Sequence, residues 1–289
     1  MEAKYLDYKY ENRLEKIDKI LDNPNIIVKR NSKKFPSEKE LRHGNGFDVQ
    51  VAILAVDIRG STKLSKILSN KHDEILTKLY KVYIEELIAV MKGCPNIVRI
   101  YIEGDGVWGV FSIEEEKDIV KVFSTSARIS SLIDILNVKL IEKRFPDIKI
   151  GMGMNVGKSL YVLAGYKYTN INEDVWLGNV VNKAFKLGDI ANKGNIKELV
   201  VSKEVYKYLE KNQKSKLEYN EEQKCYHGKV PNEQMQDWLV KNSPTYIRCE
   251  GDYCHYLIEN KWWKSKFWFV ILIGLSIWMW QQGLLFFKV

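Results

Sequence analysis

Two aspartates, Asp57 and Asp105, each follow an apolar stretch and belong to glycine-containing turns. Asp57 lies in the run AVDIRGST and Asp105 in the run RIYIEGDGVWGVF. Carboxylates are ligands for hard divalent ions, which neutralise a nucleoside triphosphate and align its nucleophile and leaving group. If the fold brings both aspartates to one rim of a sheet, they form a two-metal site that faces a bound phosphate. The pair therefore predicts phosphoryl-transfer chemistry.

The turn after Asp57 offers a phosphate site as well as a metal ligand. Gly60 permits a tight turn, and the hydroxyls of Ser61 and Thr62 are suited to capping the helix that follows. Backbone N–H groups in the first turn of that helix favour an anion. Taken alone, the run DIRGST is equally typical of a strand that ends in a helix cap. The second aspartate motif favours the phosphate site.

The elements that would position these turns alternate between strand and helix patterns. A nearly continuous apolar run predicts a strand that is covered on both faces, and Asp57 follows it directly. Two β-rich runs around Asp105 predict a hairpin with that residue at its tip. The predicted elements are a strand at 48–56, a helix at about 62–92, a hairpin at 96–112, a helix at 116–144, strands around Gly157 and a helix at 179–191. This order predicts an α+β fold, a ferredoxin-like βαββαβ domain with a mixed sheet.

The sequence as a whole divides into four predicted regions. Residues 1–46 read as an N-terminal helix and a polar linker, 47–210 as the catalytic domain, and 211–260 as a small β-rich extension. The segment 261–289 contains 21 consecutive uncharged residues, enough to cross about 30 Å of hydrocarbon as a helix. We predict a C-terminal transmembrane anchor, with a membrane-surface helix or a helix buried in a dimer as alternatives. Lys261, Lys264 and Lys266, on the N-terminal side of the uncharged run, would keep the catalytic domain in the cytoplasm.

Composition argues against several other classes of protein. The net charge is +8, but lysine and glutamate are interspersed along the chain. The sequence has no stripe of basic and aromatic residues of the kind that would predict nucleic-acid binding. The four cysteines do not have the spacing of a zinc knuckle, and the charged start of the chain does not resemble a signal peptide. Reduced thiols in the cytoplasm are the expectation.

Three ordered motifs resemble those of the class III nucleotidyl cyclases, over about residues 47–205. Asp57-Ile58-x-Gly60-x-Thr62 is similar to the first metal motif, and Gly104-Asp105 to the second. Gly178-x-x-x-Asn182-x-x-x-Lys186 is similar to the helix that stabilises the transition state. The strand pair from Ile150-Gly151 to Gly157 also looks like the central pair of that family.

The resemblance implies a homodimer that is arranged head to tail, with active sites at the interface. Asp57, Asp105 and the Ile58 carbonyl would hold two Mn²⁺ or Mg²⁺ ions in each site, while Asn182 of the other subunit would orient the ribose. Lys186 would face the α-phosphate, where the family usually has arginine. Lysine keeps the charge but lacks the planar fork that grips two oxygens. The implied activity is that of a phosphorus–oxygen lyase that releases pyrophosphate and a 3′,5′-cyclic nucleotide.

Two positions imply the choice of base. The family's purine cyclases place lysine or glutamate four residues before the second metal aspartate, and aspartate or cysteine three residues before the third-motif glycine. Here these positions hold Tyr101 and Val175, with Asp174 able to take the second place if the register shifts by one residue. A tyrosine ring would shrink the pocket, and valine offers no hydrogen bond. The alternative for Tyr101 is a strand residue that only packs on the sheet.

These features are most like the bacterial pyrimidine cyclases of antiphage (Pycsar) defence. That resemblance implies a second-messenger synthase which makes cyclic CMP or cyclic UMP from CTP or UTP during abortive infection. The alternatives are an adenylate or guanylate cyclase with unusual base contacts, and a catalytically degenerate domain that binds nucleotide and signals. The substitution at Lys186 motivates the degenerate alternative, whereas the intact Asp57, Asp105 and Asn182 argue against it.

Overall fold

The structure is a computed structural model that describes residues 8–24, 26–29, 35–68, 73–165 and 172–242. The chain divides into two compact units, Met1–Met235 and Gln236–Val289. In the second unit, the described residues 236–242 are helical. All the strands given below belong to the first unit.

The described residues form nine strands, eight α-helices and one short 3-10 helix at Glu38–Glu40. The strands are β1 (Ile27–Lys29), β2 (Asn45–Ile58), β3 (Ile97–Glu103), β4 (Gly106–Ser112), β5 (Ile150–Gly165), β6 (Asn172–Leu177), β7 (Leu199–Val201), β8 (Glu218–Asn220) and β9 (Cys225–Gly228). The helices are α1 (Glu11–Leu21), α2 (Ser61–Leu68), α3 (Asp73–Lys92), α4 (Glu116–Glu142), α5 (Asn179–Ile190), α6 (Lys203–Tyr208), α7 (Lys211–Lys214) and α8 (Glu233–Asn242).

One mixed sheet contains all of these strands, in the order β3-β4-β2-β5-β7-β9-β8, with β1 paired to β2 and β6 paired to β5. The four strands β3, β4, β2 and β5 are antiparallel neighbours, and β5 pairs in parallel with β7. This core has the ferredoxin-like order, so the predicted α+β sheet is confirmed. The β8–β9 hairpin, which lies in the range predicted as a separate extension, pairs through β9 with β7 of the same sheet.

Both faces of β2 are covered, as its continuous apolar run predicts. Because side chains alternate along a strand, Ala52, Leu54 and Val56 lie on one face and pack in the cluster that contains α3 and α4. Val51 and Ile53 lie on the opposite face, in the cluster that contains α5 and a group of aromatic rings. Helix α5, which carries Asn182 and Lys186, packs on this second face.

One component of the predicted fold class is wrong, namely the C-terminal transmembrane helix. Among the helices that the structure describes, none is both long enough and apolar enough to cross a bilayer. The predicted segment, 261–289, lies outside the described residues.

The predicted helix at about 62–92 is also described as two helices rather than one. α2 ends at Leu68 and α3 begins at Asp73. Residues 69–72, between the two helices, lie outside the described residues, and α3 packs in the core.

Candidate active site

Asp57 and Asp105 are brought together by the two antiparallel neighbours of β2. Asp57 lies one residue before the end of β2, opposite Gly151 of β5, and β4 pairs along the other edge up to Val56. Asp105 occupies the tight turn between β3 and β4, where Gly104 has φ +65°, a conformation that glycine adopts readily. A Cβ on Gly106 would lie only 3.7 Å from Asp57 Oδ1. The hairpin tip therefore lies beside the end of β2.

The electrostatics of the two carboxylates indicate a cation site. Burial, the negative charge of Asp105 and hydrogen bonding to the Asp105 carboxyl group together raise the pKa of Asp57 to about 6. Oδ2 of Asp105 is buried and has no hydrogen-bond partner among the described atoms. A buried carboxylate oxygen without a partner costs free energy, and a metal ion would supply the missing interaction.

The set of donors also fits a divalent ion that is shared with a substrate. No group of three or more His, Cys, Asp or Glu side chains that could hold a metal occurs in the described parts of the chain. Two carboxylates alone do not complete a coordination sphere, so backbone, water and substrate oxygens must supply the rest. Mg²⁺ is commonly held in this way beside nucleotide phosphates. Ile58, whose carbonyl is a predicted ligand, is the last residue of β2 and its side chain is buried; the ligand role stays a prediction.

A surface pocket of about 440 Å³ adjoins Asp105, and the first turn of α2 forms part of its wall. Gly60 has φ +71° and accepts a hydrogen bond at its carbonyl from the Leu64 N–H, so it begins the helix. The residues that line the pocket are Ser61, Thr62, Ser65, Lys66, Tyr80 and Asp105. Hydroxyls, a lysine and the start of a helix on one side, with a carboxylate on the other, suit a phosphate that carries a metal ion.

Asn182 and Lys186 lie one turn apart on the exposed side of α5. The helix begins after Gly178, which has φ +145° and whose added Cβ would lie 3.2 Å from the Lys158 carbonyl oxygen. A larger residue at this position would push the start of α5 away from β5. Neither Asn182 nor Lys186 hydrogen-bonds or pairs with Asp57 or Asp105 within the described residues. The structure therefore does not join the two predicted halves of the site in one protomer.

The predicted base-contact positions, Tyr101 and Val175, are not brought together either. Tyr101 donates to the Asp174 carbonyl (3.3 Å) and accepts from Trp176 Nε1 (2.7 Å). Asp174 and Trp176 share one face of β6 because side chains alternate along a strand, so Val175 lies on the opposite face. The side chain beside Tyr101 is Asp174, the alternative that a shift of one residue would give.

The Asp174 carboxylate is held firmly in place at this position. Its Oδ2 accepts from Arg99 Nε at 2.7 Å and from the Tyr161 hydroxyl at 3.2 Å. Aromatic stacking surrounds the pair, since Tyr101 stacks on Trp108 and Tyr161 stacks on Trp176, each with ring centroids 4.2 Å apart. This cluster forms a rigid wall with a carboxylate in it.

A family model described as the adenylate and guanylate cyclase catalytic domain matches residues 47–242. The match covers more than half of the chain and includes all three motifs. The chain belongs to this cyclase family. The predicted recognition is therefore confirmed, and the paired carboxylates lie in the catalytic domain of a nucleotidyl cyclase.

Two curated relatives of this cyclase are both named uridylate cyclase. The protein of Gulbenkiania mobilis is 33% identical over 231 residues, which cover 76% of this chain and 88% of the relative. The protein of Treponema porcinum is 29% identical over 240 residues, covering 82% of each.

Among solved structures, a class III adenylyl cyclase-like ATP-binding protein from Pseudomonas aeruginosa has a TM-score of 0.60 at 14% identity. The alignment covers 78% of this chain and 48% of that protein. A bacterial light-regulated adenylyl cyclase has a TM-score of 0.52 at 17% identity, with 67% of this chain and 98% of that one covered. These two likenesses show the fold of the cyclase.

Sequence reasoning missed several residues near the aspartates of this cyclase. The Arg59 guanidinium lies 3.7 Å from Asp57, and its side chain is only 13% exposed. Burial raises the pKa of Tyr83 well above its usual range, and the charges of Asp57 and Asp105 raise it further. Arg59 lies inside the first motif, two residues after Asp57. A positive charge so close to a predicted metal ligand could have identified it from the sequence. No local signal marks Tyr83, because its place depends on how α3 packs.

Proposed function

We propose that this cyclase is a pyrimidine nucleotide cyclase, which converts UTP or CTP to the 3′,5′-cyclic monophosphate and pyrophosphate. The observation that carries the proposal is the similarity, over most of both chains, to two proteins named uridylate cyclase. The relatives support UTP as the first substrate to test and CTP as the second. A purine substrate has no comparable support, since the solved adenylyl cyclases share only the fold.

The metal half of the site would consist of Asp57, Asp105 and the Ile58 carbonyl, with two Mn²⁺ or Mg²⁺ ions. When bound, these ions neutralise the triphosphate and polarise its oxygens. The buried Oδ2 of Asp105, which has no hydrogen-bond partner among the described atoms, and the raised pKa of Asp57 support this role, because a bound cation would offset the cost of both. Gly60, Ser61 and Thr62 at the start of α2 would donate to phosphate oxygens in the adjoining pocket.

The ribose half would come from α5 of a second copy in a head-to-tail homodimer. Asn182 would hold the ribose so that its 3′-oxygen faces the α-phosphorus, and Lys186 would donate to the α-phosphate as negative charge grows there. A bond forms between the 3′-oxygen and the α-phosphorus while the bond to the leaving pyrophosphate breaks, and the 3′-hydroxyl proton passes to water. Within the described residues of one protomer, Asn182 and Lys186 make no hydrogen bond or ion pair with Asp57, and α5 of a second copy would bring these two side chains to the carboxylate pair.

For the base, we propose that Asp174 rather than Val175 faces the pocket. Uracil carries one N–H donor between two carbonyl acceptors, and a carboxylate can accept only from that N–H. The Tyr101 hydroxyl is already bonded to Trp176 and to the Asp174 backbone. The tyrosine ring would therefore limit the size of the pocket while Asp174 contacts the base edge.

The direct test incubates the full chain with Mn²⁺ and each of the four ribonucleoside triphosphates, and identifies the products by mass. Cyclic UMP or cyclic CMP from the parent protein, and none from Asp57→Ala, is the expected result. Turnover of only ATP or GTP would contradict the base assignment and leave the reaction intact. Binding of a nucleotide without release of pyrophosphate, with every divalent metal tried, would support the degenerate alternative.

We also propose the antiphage role that the family resemblance implies, as a synthase of a second messenger. Cells that express the whole defence locus should resist phage with the parent chain and lose resistance with Asp57→Ala. Equal resistance with both chains would contradict the role, whereas the cyclase activity is tested separately by the product assay.

A further inference from the structure

The side chain of Arg59 lies between the metal aspartate and the helix that carries Asn182 and Lys186. Its Nη1 is 3.7 Å from Asp57 Oδ2, and its Nη2 donates to the carbonyl of Gly188 near the C-terminal end of α5. A cation at this end of a helix also interacts favourably with the helix dipole. One guanidinium therefore contacts both predicted halves of the site.

The backbone of the protein is shaped to admit this side chain. Gly151, directly opposite Asp57 in the β2–β5 pairing, has no side chain, and a Cβ at this position would overlap the Arg59 guanidinium. The Arg59 N–H donates to the Lys149 carbonyl at 2.7 Å, which fixes its backbone against the residue that precedes β5. The hollow over Gly151 is thus occupied by the guanidinium.

Burial of the Arg59 side chain in this position costs free energy. Arg59 Nε is buried and has no hydrogen-bond partner among the described atoms. A buried N–H without a partner costs stability, so its retention calls for an explanation. The two contacts that the guanidinium makes, to Asp57 and to α5, explain why the side chain is buried here.

We propose that Arg59 is a positioning residue that fixes Asp57 and α5 relative to each other. The inference rests on the proposed cyclase reaction. In a head-to-tail dimer, Asp57 of one protomer and α5 of the same protomer serve different active sites. Each Arg59 therefore links the metal half of one site to the ribose half of the other, and a displacement at either half is transmitted within the protomer.

The planar fork of arginine is what this role needs. Its separate N–H groups reach a carboxylate and a carbonyl at the same time, whereas the single ammonium of lysine cannot keep both directions. Arg59→Lys keeps the positive charge beside Asp57 but breaks the link to Gly188. This variant separates the effect of charge from the effect of bridging.

The first test needs neither metal nor substrate. Gly151→Ala in the full chain should lower the melting temperature of the metal-free protein by several degrees, because the new methyl group displaces the guanidinium. In the Arg59→Ala background the same methyl group enters vacated space, so most of that loss should disappear. An equal loss in both backgrounds would overturn the placement of Arg59. Arg128→Ala, which removes an exposed arginine of α4, is the matched control.

The second test separates metal binding from turnover. Calorimetric titration with Mn²⁺ alone should show that Arg59→Lys binds nearly as well as the parent. Its kcat for UTP should still fall as far as that of Arg59→Ala, about tenfold to a hundredfold, because a displacement of about 1 Å is that costly. KM should change less than kcat, since the base contacts on β3 and β6 remain.

Recovery of the parent kcat by Arg59→Lys would overturn the bridging role, because charge alone would then suffice. Weak Mn²⁺ binding by Arg59→Lys would also count against it, since the lysine keeps the charge. Absence of any cyclic product from the parent protein would count against the proposed function. The melting experiment would still decide where Arg59 lies.

Discussion

Gly153→Ala should move α5 without touching any residue that contacts substrate. A Cβ at Gly153 would overlap the Ala184 carbonyl oxygen and the Gly188 nitrogen, and would lie 2.8 Å from Gly188 Cα. Ordinary contacts of a Cβ atom begin at 3.4 Å. All three atoms belong to the backbone of α5, so the overlap cannot be relieved by a change of side-chain rotamer. The helix must move away from β5 by about 1 Å to restore ordinary contact distances.

That displacement sets the expected effect on catalysis. Asn182 and Lys186 travel with α5, and a misplacement of about 1 Å can cost about a hundredfold in rate. We therefore expect kcat/KM for UTP to fall by about that factor, which is about 2.7 kcal/mol of transition-state stabilisation. Overpacking of this kind costs about 1–3 kcal/mol of stability, so the protein should still fold at room temperature. Steady-state kinetics and thermal unfolding of the full chain measure the two effects.

Gly157→Ala is the matched control on the same face of the same strand. Its added Cβ would meet Val180 Cβ at 3.5 Å, an ordinary contact, so α5 need not move. This variant should keep kcat/KM near that of the parent protein. Equal kinetics for the two variants would refute the argument that the position of α5 against β5 controls the rate.

Three further outcomes follow from individual contacts. Tyr101→Phe leaves the Trp176 N–H without its acceptor in a buried place, so urea titration should show a loss of about 1–3 kcal/mol in the free energy of unfolding. The pKa of Asp57 is raised from 3.8 to about 6, so its contribution to the stability of the metal-free protein is fully present below pH about 4 and is lost as pH rises through about 6. Relative to Asp57→Asn, the parent melting temperature should therefore fall over that interval, and a constant difference would contradict the raised pKa. Lys186→Arg should raise kcat, because a guanidinium offers the α-phosphate two donors, whereas Lys186→Ala should lower kcat by about a hundredfold or more.

The parts of the site that depend on local pattern could be predicted from the sequence. Asp57 follows a continuous apolar strand and Asp105 occupies a glycine turn between two β-rich runs, so strand order alone places both near one rim. That Asn182 and Lys186 share one face of α5 follows from their spacing of about one helical turn. The ferredoxin-like core follows from the order of the elements.

The base-contact positions show why other parts could not be predicted. Which side chain of β6 faces Tyr101 depends on the register in which β6 pairs with β5. A shift of one residue in that register exchanges Asp174 for Val175. Arg59 is a second case, because its partner Gly188 lies 129 positions away in the chain. No spacing rule reports contacts of that range.

The pairing of β6 also bears on how base preference could change during evolution. Within the described residues β6 pairs with β5 alone, so its other edge is not held by a neighbouring strand. A shift of β6 by one residue against β5 would disturb a single ladder, and in one direction it would exchange Asp174 for Val175 beside Tyr101. If Asp174 contacts the base as proposed, related cyclases could thus diverge in the base they accept through a shift in strand register, with every residue of the pocket retained in the gene.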